Sequence, residues 1–259
     1  MKATLITGAS SGIGKAFAGR LAGEGHDLVL VARAEEKLHE LCDELMLKHK
    51  ITAHYIAADL LKEDAVAMVH DETEKHGFEI DWLINNAGFG SMGDFAELSR
   101  ENELNIIKLN VLALVSLTHR YLVDMRERKS GTIINVSSTA GFQPIPFFAT
   151  YAATKAFVTS FTESIAEENR PFGIKILALC PGTTKTNFFA ASKIEDPVQI
   201  KGLQTPEQVV ETALKAVKSG RSKVVSGWAN YLGAMAGAYA PDSLTVRLIG
   251  KALRSRYQK

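Results

Sequence analysis

The chain has 259 residues, a formal net charge of +1 and two cysteines. This length suits one domain whose core needs no disulfides, and 46% apolar against 23% charged residues excludes wholesale disorder. The balanced charge, without a basic stripe, excludes a nucleic-acid groove. We expect neither a signal peptide nor a transmembrane segment, and we expect a single catalytic domain over residues 1–259 in a reducing, cytoplasmic compartment.

Seven short apolar runs alternate with longer segments of helical spacing along the chain. Most runs lack a two-residue alternation, which is typical of parallel strands covered on both faces. The predicted strands are residues 4–7, 28–31, 53–57, 82–84, 132–136, 174–179 and 223–225. This alternation predicts an α/β fold, a single-domain Rossmann-like doubly wound parallel sheet of about seven strands with helices on both faces. Ligands of such folds bind at the carboxyl ends of the strands.

A glycine-rich turn at residues 7–14 follows the first strand and opens the first predicted helix. Its glycines, Gly8, Gly12 and Gly14, have the spacing Gly-x3-Gly-x-Gly rather than the commoner Gly-x-Gly-x2-Gly. Glycines at a helix N-terminus give a pyrophosphate close access to free backbone N–H groups. The turn predicts dinucleotide binding; the alternative is a tight strand-to-helix turn that binds nothing.

Five motifs, in this order and spacing, resemble those of the classical short-chain dehydrogenase/reductases. They are the glycine turn at 7–14, Asn-Asn-Ala-Gly at 85–88, Ser138, the Tyr-x3-Lys pair Tyr151 and Lys155, and the segment 181–186. The resemblance covers nearly the whole chain. It implies an NADP- or NAD-dependent oxidoreductase that moves a hydride between the nicotinamide and a carbonyl or alcohol, and it implies a homodimer or homotetramer.

The resemblance also implies which residues contact the cofactor. They are Gly8, Ser10, Ser11, Gly12, Ile13, Gly14, Arg33, Asp59, Leu60, Asn86, Gly88, Tyr151, Lys155, Pro181, Gly182, Thr184 and Thr186. NAD-dependent enzymes usually end the second strand with an acid that bonds the ribose 2′-hydroxyl. Ala32 stands there, and Arg33 follows with a guanidinium suited to a 2′-phosphate. We therefore predict NADP(H) and the NADP-preferring subgroup; a surface arginine at a strand end is the alternative.

Two polar positions near the cofactor have alternative interpretations. Asp59 resembles the aspartate that bonds the adenine amino group, but it could also cap a helix that begins near Lys62. In the Asn-Asn-Ala-Gly motif, we expect Asn86 and Gly88 to lie beside the cofactor and Asn85 to tie adjacent strands together.

The pair Tyr151 and Lys155 lies four residues apart in a predicted helix over 150–169, so the two side chains share a face. An ammonium group nearby favours the phenolate, so we expect Lys155 to lower the pKa of Tyr151 and suit it to be the acid/base. By resemblance, Lys155 also bonds the nicotinamide ribose.

Ser138 ends an apolar strand and can donate a hydrogen bond to the substrate carbonyl oxygen. Its spacing of thirteen residues to Tyr151 favours it over the neighbouring Ser137. The resemblance makes Asn110, inside an apolar helix, the fourth catalytic residue, which holds a water that links Lys155 to solvent. The alternative is a buried asparagine bonded to backbone, and both can be true.

The substrate side carries less information. Six phenylalanines beyond strand ends, Phe89, Phe142, Phe147, Phe148, Phe188 and Phe189, predict an apolar pocket, although the default for any one of them is the core. We expect an apolar ketone, aldehyde or secondary alcohol as the small-molecule substrate. One alternative is a 3-oxoacyl thioester reductase with the same site residues. Another is a catalytically silent NADP(H)-sensing regulator, which intact catalytic residues argue against.

Three further expectations concern the rest of the chain. Residues 183–204 are expected to form a substrate lid. The tail over 228–259 carries leucines at helical spacing and a basic end, so it could cover its own domain, contact another subunit or rest on a membrane surface. The seven histidines show no metal-ligand spacing, and we expect no metal.

Overall fold

Seven parallel strands form one sheet in the order β3-β2-β1-β4-β5-β6-β7. The strands are β1 Lys2–Thr7, β2 Asp27–Ala32, β3 Ala53–Ala57, β4 Glu79–Asn85, β5 Thr132–Val136, β6 Lys175–Cys180 and β7 Lys223–Val225. The computed structural model describes residues 1–186, 188, 192 and 203–258, so most of the predicted lid lies outside the described residues. The predicted α/β fold with a seven-stranded parallel sheet is confirmed.

Nine α-helices belong to the described part of the chain. They are α1 Gly12–Ala22, α2 Glu35–His49, α3 Ala65–Lys75, α4 Arg100–Ile107, α5 Leu114–Arg128, α6 Ala149–Asn169, α7 Pro206–Lys218, α8 Trp228–Tyr239 and α9 Asp242–Tyr257. A π-helical segment, Lys108–Ala113, joins α4 to α5, and a 3₁₀ turn, Thr139–Phe142, follows β5.

Helices cover both faces of the sheet, because the strands are apolar on both sides. All five residues of β5 are buried. On one face, α1, α2 and α7 pack against the sheet through side chains such as Phe17 and Leu38. On the other, α3, α5 and α6 pack through side chains such as Val69, Leu117 and Ile165. The strand order changes direction between β1 and β4, and this switch point places a crevice at the carboxyl edge of the sheet.

The continuous helical segment Arg100–Arg128 is long enough to cross a membrane, and an 18-residue stretch within it is apolar enough, with a mean hydropathy of 1.4. Its residues Leu117, Tyr121 and Met125 are buried in the core against the sheet. A core helix passes the same test of length and composition, so this segment is weak evidence for a membrane span.

Candidate active site

A cleft of about 1490 Å³ lies along the carboxyl edge of the sheet, among the loops that follow β1 to β6. A single drug-sized ligand usually occupies about 300–1,000 Å³, so this cleft has room for a dinucleotide and a second molecule. Most of the predicted site residues line it. Those that do are Gly8, Ser10, Ser11, Gly12, Ile13, Arg33, Asp59, Leu60, Asn86, Gly88, Ser138, Tyr151, Lys155, Pro181, Gly182, Thr184 and Thr186.

Two predicted residues, Gly14 and Asn110, lie behind the wall of the cleft rather than along it. Gly14 permits a close approach between α1 and β1, because a Cβ there would lie 2.3 Å from the carbonyl oxygen of Gly8. Any other residue would therefore push the first helix away from the strand. Gly14 therefore helps to position the glycine turn but does not itself line the cleft.

The glycine turn presents free backbone donors to the cleft. Gly8 and Gly12 have positive φ angles of +63° and +56°, which favour glycine. Ser11 precedes α1 at the N-cap but makes no side-chain bond to the first helical turn, and that turn carries no acidic residue. The N–H groups at the start of α1 therefore face the cleft with the positive end of the helix dipole, as an anion requires.

Hydrogen bonds tie the glycine turn to the end of β4. Thr7 Oγ1 accepts the backbone N–H of Asn86 and of Ala87, each at 3.0 Å. The Asn86 side-chain amide donates to the carbonyl oxygens of Thr7 at 2.9 Å and Gly8 at 3.2 Å. Asn86 thus holds the turn in place while it also lines the cleft.

Asn85 ties neighbouring elements together, as the sequence predicted. Its Nδ2 donates to Thr118 Oγ1 on α5 and to Asn135 Oδ1 on β5, both at 2.9 Å. Asn135 in turn donates to Thr162 Oγ1 on α6 at 3.0 Å. A line of buried amides and hydroxyls therefore fixes α5, β4, β5 and α6 below the catalytic part of the cleft.

Arg33 follows β2, is exposed at the rim of the cleft and forms no ion pair with any residue that the structure describes. Asp59 lies two residues beyond β3, and its Oδ1 accepts the backbone N–H of Leu61 at 3.1 Å. The alternative that Asp59 caps a helix near Lys62 is wrong, because the next helix begins at Ala65. The carboxylate instead closes a local turn beside the cleft.

Tyr151 lies in the first turn of α6, and its side chain is buried. Its ring packs between those of Phe148 and Phe188, with centroids 4.4 Å and 5.3 Å away. Burial raises the pKa of the phenol to about 12, against the opposing effect of a hydrogen bond with Ser138. The neutral phenol is therefore the dominant form at neutral pH.

Lys155 lies one turn further along α6, and it too is buried. Its Nζ donates to the carbonyl oxygen of Val136 at 2.9 Å and lies 5.6 Å from the centroid of the Tyr151 ring. Burial lowers the pKa of the amine to about 8. The expectation that Lys155 lowers the pKa of Tyr151 is not met, because burial acts on both groups and disfavours both charged forms.

The two neighbouring serines have different surroundings. Ser137 is fully engaged with α6, since its hydroxyl donates to the Lys155 carbonyl oxygen at 2.7 Å and also contacts Thr159 Oγ1 at 2.7 Å. Ser138 caps the 3₁₀ turn, where its Oγ accepts the N–H of Ala140 at 3.1 Å. Ser138 also forms a hydrogen bond with Tyr151, so it is the serine that lies beside the phenol.

Asn110 lies in the π-helical segment and is almost wholly buried. Its Nδ2 donates to the Phe89 carbonyl oxygen at 3.0 Å and to Thr154 Oγ1 at 3.1 Å, and its Oδ1 accepts the Phe89 N–H at 3.2 Å. The backbone-bonded alternative is therefore observed. A Cβ at Gly88 would lie 2.9 Å from Asn110 Oδ1 and 3.5 Å from Lys155 Nζ, so these three residues are close neighbours.

Three of the six predicted phenylalanines, Phe89, Phe148 and Phe188, line the cleft. Phe142 lies instead below Lys223, and Phe147 packs against Tyr257 at a centroid distance of 5.6 Å. Phe189 lies outside the described residues. Of the three that line the cleft, Phe148 and Phe188 pack against Tyr151, so the cleft is apolar where a substrate carbonyl would meet the phenol.

Sequence reasoning missed the contribution of α8. Ala229, Asn230, Gly233 and Ala234 line the cleft from the side of the predicted tail. Asn230 is held by a bond from its Nδ2 to the Ser226 carbonyl oxygen at 2.7 Å, and a Cβ at Gly182 would lie 2.4 Å from its side chain. Only the close approach of α8 to the 181–186 segment brings these residues into the cleft, and no local pattern signals it.

One group of potential metal ligands exists among the described residues, and it is remote from the cleft. Ligand atoms of His54, Glu72 and His76 all lie within 4.8 Å of one another. His54 lies near the start of β3, and the other two lie at the end of α3, at the amino edge of the sheet. The sequence shows Glu72 and His76 one turn apart, but only the fold brings His54 to them. We assign this group no part in the reaction.

Comparisons with known proteins agree with this geometry. Residues 2–196 match the family described as short chain dehydrogenase. A very-long-chain 3-oxoacyl-CoA reductase of Macaca fascicularis is 35% identical over 217 residues, which cover 82% of this chain and 67% of the relative. A short-chain dehydrogenase from Sphingobium yanoikuyae, solved with NADPH, superimposes with a TM-score of 0.83 at 32% identity and covers 92% and 93% of the two chains. A 7β-hydroxysteroid dehydrogenase structure gives a TM-score of 0.86 at 28% identity, over 96% of each chain.

The chain belongs to the short-chain dehydrogenase family. It is a nicotinamide-dependent oxidoreductase that acts on CH–OH groups and the carbonyls they form. The predicted family and reaction class are thereby confirmed. The alternative hypothesis of a catalytically silent NADP(H)-sensing regulator is not supported, because the relatives are reductases and dehydrogenases.

Proposed function

We propose that this enzyme reduces a ketone on a long apolar molecule, with 3-oxoacyl thioesters as the leading substrate class. The apolar side chains beside the buried Tyr151 carry this proposal: Phe148 and Phe188 pack against its ring, and Phe89 lines the same cleft. The Macaca fascicularis relative, named a very-long-chain 3-oxoacyl-CoA reductase, supports the thioester class. The hydroxysteroid dehydrogenase neighbour supports a ring ketone of similar bulk as a second candidate.

NADP(H) is the cofactor, as predicted from Ala32 and Arg33. The cleft fits a dinucleotide, because the start of α1 presents N–H groups that no side chain caps. Glycine at position 8 lets the turn before α1 pack closely on the end of β4, since a Cβ there would lie 2.9 Å from Asn86 Nδ2. We assign the N–H groups at the start of α1 to the pyrophosphate, Arg33 to the 2′-phosphate and Asp59 to the adenine amino group. The bound cofactor supplies the hydride in the reductive direction.

Tyr151 is assigned the role of proton donor to the substrate oxygen. A phenol with a pKa of about 12 holds its proton at neutral pH, which is the form that reduction of a ketone consumes. Ser138 shares a hydrogen bond with that phenol, so its hydroxyl can donate to the same substrate oxygen and stabilise the charge that develops there.

Lys155 and Asn110 are assigned supporting roles. An amine with a pKa of about 8 is still mostly charged at neutral pH, so Lys155 opposes the negative charge left on Tyr151 after proton transfer. Asn110 is a positioning residue, because it bonds Phe89 and Thr154 and so fixes the loop after β4 against α6.

A substrate series read by NADPH absorbance tests the proposed class. We expect kcat/KM for 3-oxoacyl-CoA substrates to rise about fourfold with each added CH₂ that the cleft can bury, because each contributes about 0.8 kcal/mol. Steroid ketones form the comparison set, and small polar ketoses form the control. Equal or faster turnover of the ketoses would exclude an apolar substrate, and turnover of steroids alone would favour the second candidate.

We also propose a homo-oligomer that assembles through α4, the π-helical segment and α6. Leu104, Leu112 and Phe157 expose 43%, 57% and 43% of their surface there, on neighbouring helices. Large exposed apolar patches mark protein interfaces. The mass in solution, measured by light scattering, tests this assembly.

A reducing cytoplasmic location is proposed because Cys42 and Cys180 are both free and buried.

A further inference from the structure

The two C-terminal helices expose an extended apolar surface. Six of the fifteen large apolar side chains that are exposed in the described residues belong to α8 and α9. They are Trp228, Tyr231, Leu232, Tyr239, Leu244 and Leu248, and we call this set the C-terminal apolar surface. The leucines that a terminal helix would bury on its own domain, Leu244 and Leu248, are 53% and 60% exposed instead.

Helix α8 is apolar on both its inner and its outer face. Its twelve residues include no charged side chain. Trp228, Leu232 and Tyr239 recur at intervals of four and seven residues, which places them along one outward stripe. The opposite face carries Asn230, Gly233 and Ala234, which line the cleft. One face of α8 therefore lines the cleft, and its opposite face forms part of the C-terminal apolar surface.

Helix α9 adds positive charge at the border of the same surface. It contains four basic residues and one acid, Asp242. Arg247, Lys251 and Arg254 are exposed, and at their spacing they lie beside the outward leucines. The inner face is anchored near the cleft, because Gly250 approaches Pro146 and Tyr257 packs against Phe147.

We propose that the C-terminal apolar surface docks on an anionic lipid bilayer. Tryptophan and tyrosine favour the interface between headgroups and acyl chains, and a helix with leucines beside basic residues is typical of a segment that lies in that interface. The charge decides between a bilayer and a second copy of the chain. In a symmetric contact the same patch would face itself and bring α9 cations together, whereas anionic headgroups neutralise them.

Docking would bring the substrate region to the membrane surface, since α8 forms one wall of the cleft. An apolar substrate dissolved in the bilayer would then reach the cleft without crossing water. This consequence rests on the proposed function, but the docking itself does not.

Vesicles of phosphatidylcholine with phosphatidylglycerol, compared with phosphatidylcholine alone, test the proposal on the intact chain. The chain has two tryptophans. Trp228 is 79% exposed, whereas Trp82 packs edge-on against His26 at 5.4 Å. We expect the protein to co-sediment with the anionic vesicles and its tryptophan emission to shift to the blue. The Trp228→Phe variant should still sediment but lose that shift.

Paired substitutions separate the charge from the apolar contact. The double variant Arg247→Gln with Lys251→Gln should bind anionic vesicles about 25-fold more weakly, because each cation near such a surface contributes about 1 kcal/mol. Lys37→Gln with Lys48→Gln, on the exposed side of α2, is the matched control and should bind as the wild type does. Leu232→Ser should weaken sedimentation, and Leu47→Ser, at a 76% exposed residue of α2, should not.

Three outcomes would overturn the proposal: no sedimentation with anionic vesicles, equal losses in the α2 control variants, or a dimer that Leu232→Ser converts to a monomer. The last would show that a second copy covers the surface. None of these readouts requires turnover, so a wrong substrate class would leave the docking result intact, and absent docking would leave the substrate series intact.

Discussion

The two halves of the cleft hold their functional groups by different means. In the cofactor half, at the ends of β1 to β3, the contacts come from backbone N–H groups, glycines with positive φ and the exposed Arg33. In the catalytic half, at the ends of β4 to β6, the groups are buried side chains. Asn110, Tyr151 and Lys155 are each less than one tenth exposed, and each bonds to another element.

This difference separates binding from chemistry. Among the ionisable groups that line the cleft, the resolved pKa shifts belong to Tyr151 and Lys155, both in the catalytic half, and burial causes both. Shifts of this kind cluster at catalytic groups. We therefore expect loss of the Tyr151 hydroxyl to change turnover far more than cofactor binding, and loss of the Arg33 guanidinium to do the reverse.

The largest expected effect is that of Tyr151→Phe. The ring would keep its packing between Phe148 and Phe188, and only the hydroxyl would be lost. Turnover should fall about 10²–10⁴-fold, because the proton donor is gone, while NADPH affinity stays within about twofold. Stopped-flow turnover and NADPH fluorescence titration measure the two quantities.

The matched control for that substitution is Tyr121→Phe. Tyr121 is equally buried, but its hydroxyl bonds Thr73 between α3 and α5, far from the cleft. Its turnover should match the wild type. If Tyr151→Phe lost NADPH affinity by as large a factor as it lost turnover, the proposed separation of cofactor binding from chemistry would be wrong.

The next effect is the pH dependence of stability that Lys155 imposes. Its pKa is about 8 in the folded protein and 10.5 as the ordinary value, so the unfolded chain binds more protons between these values. Lys155 should therefore make the free energy of unfolding rise with pH between about 8 and 9. Above pH 9 the buried Cys42 and Cys180, whose pKa values burial raises to about 11, act in the opposite direction. Lys155→Met should lose most turnover and also lose this rise.

Urea unfolding at successive pH values measures that slope, with the exposed Lys62→Met as control. The slope, and not the absolute stability, is the readout, because loss of the bond to Val136 lowers stability at every pH. An unchanged slope in Lys155→Met would mean that burial does not act on this amine.

Much of the fold and of the cofactor half could be predicted from the sequence, because the determinants are local. Uninterrupted apolar runs mark strands that are buried on both faces, and all seven occur in the sheet. Gly8, Gly12 and Arg33 are recognisable by their place relative to β1 and β2, since the backbone geometry of the turn depends on adjacent residues alone.

The catalytic half was less predictable, because its properties depend on packing between distant segments. The sequence identifies Tyr151 and Lys155 as a pair, but the direction of the Tyr151 pKa shift follows from how completely α6 is buried. The partners of Asn110, which are Phe89 and Thr154, lie 21 and 44 residues away. The approach of Asn230 on α8 to Gly182 is a tertiary contact of the same kind.

The smallest expected effect is that of Arg33→Ala, and it tests the cofactor half alone. A charge-assisted bond to a phosphate contributes about 1.5–3 kcal/mol, so the KM for NADPH should rise roughly 10–100-fold while the KM for NADH stays constant. Because Arg33 is exposed, the effect should shrink as salt is added. Arg33→Lys keeps the charge but not the planar fork, so its KM for NADPH should lie between those of the wild type and Arg33→Ala. Equal losses for NADPH and NADH would contradict a role at the 2′-phosphate, whereas a fall in turnover at saturating NADPH would tie Arg33 to the chemistry of the other half.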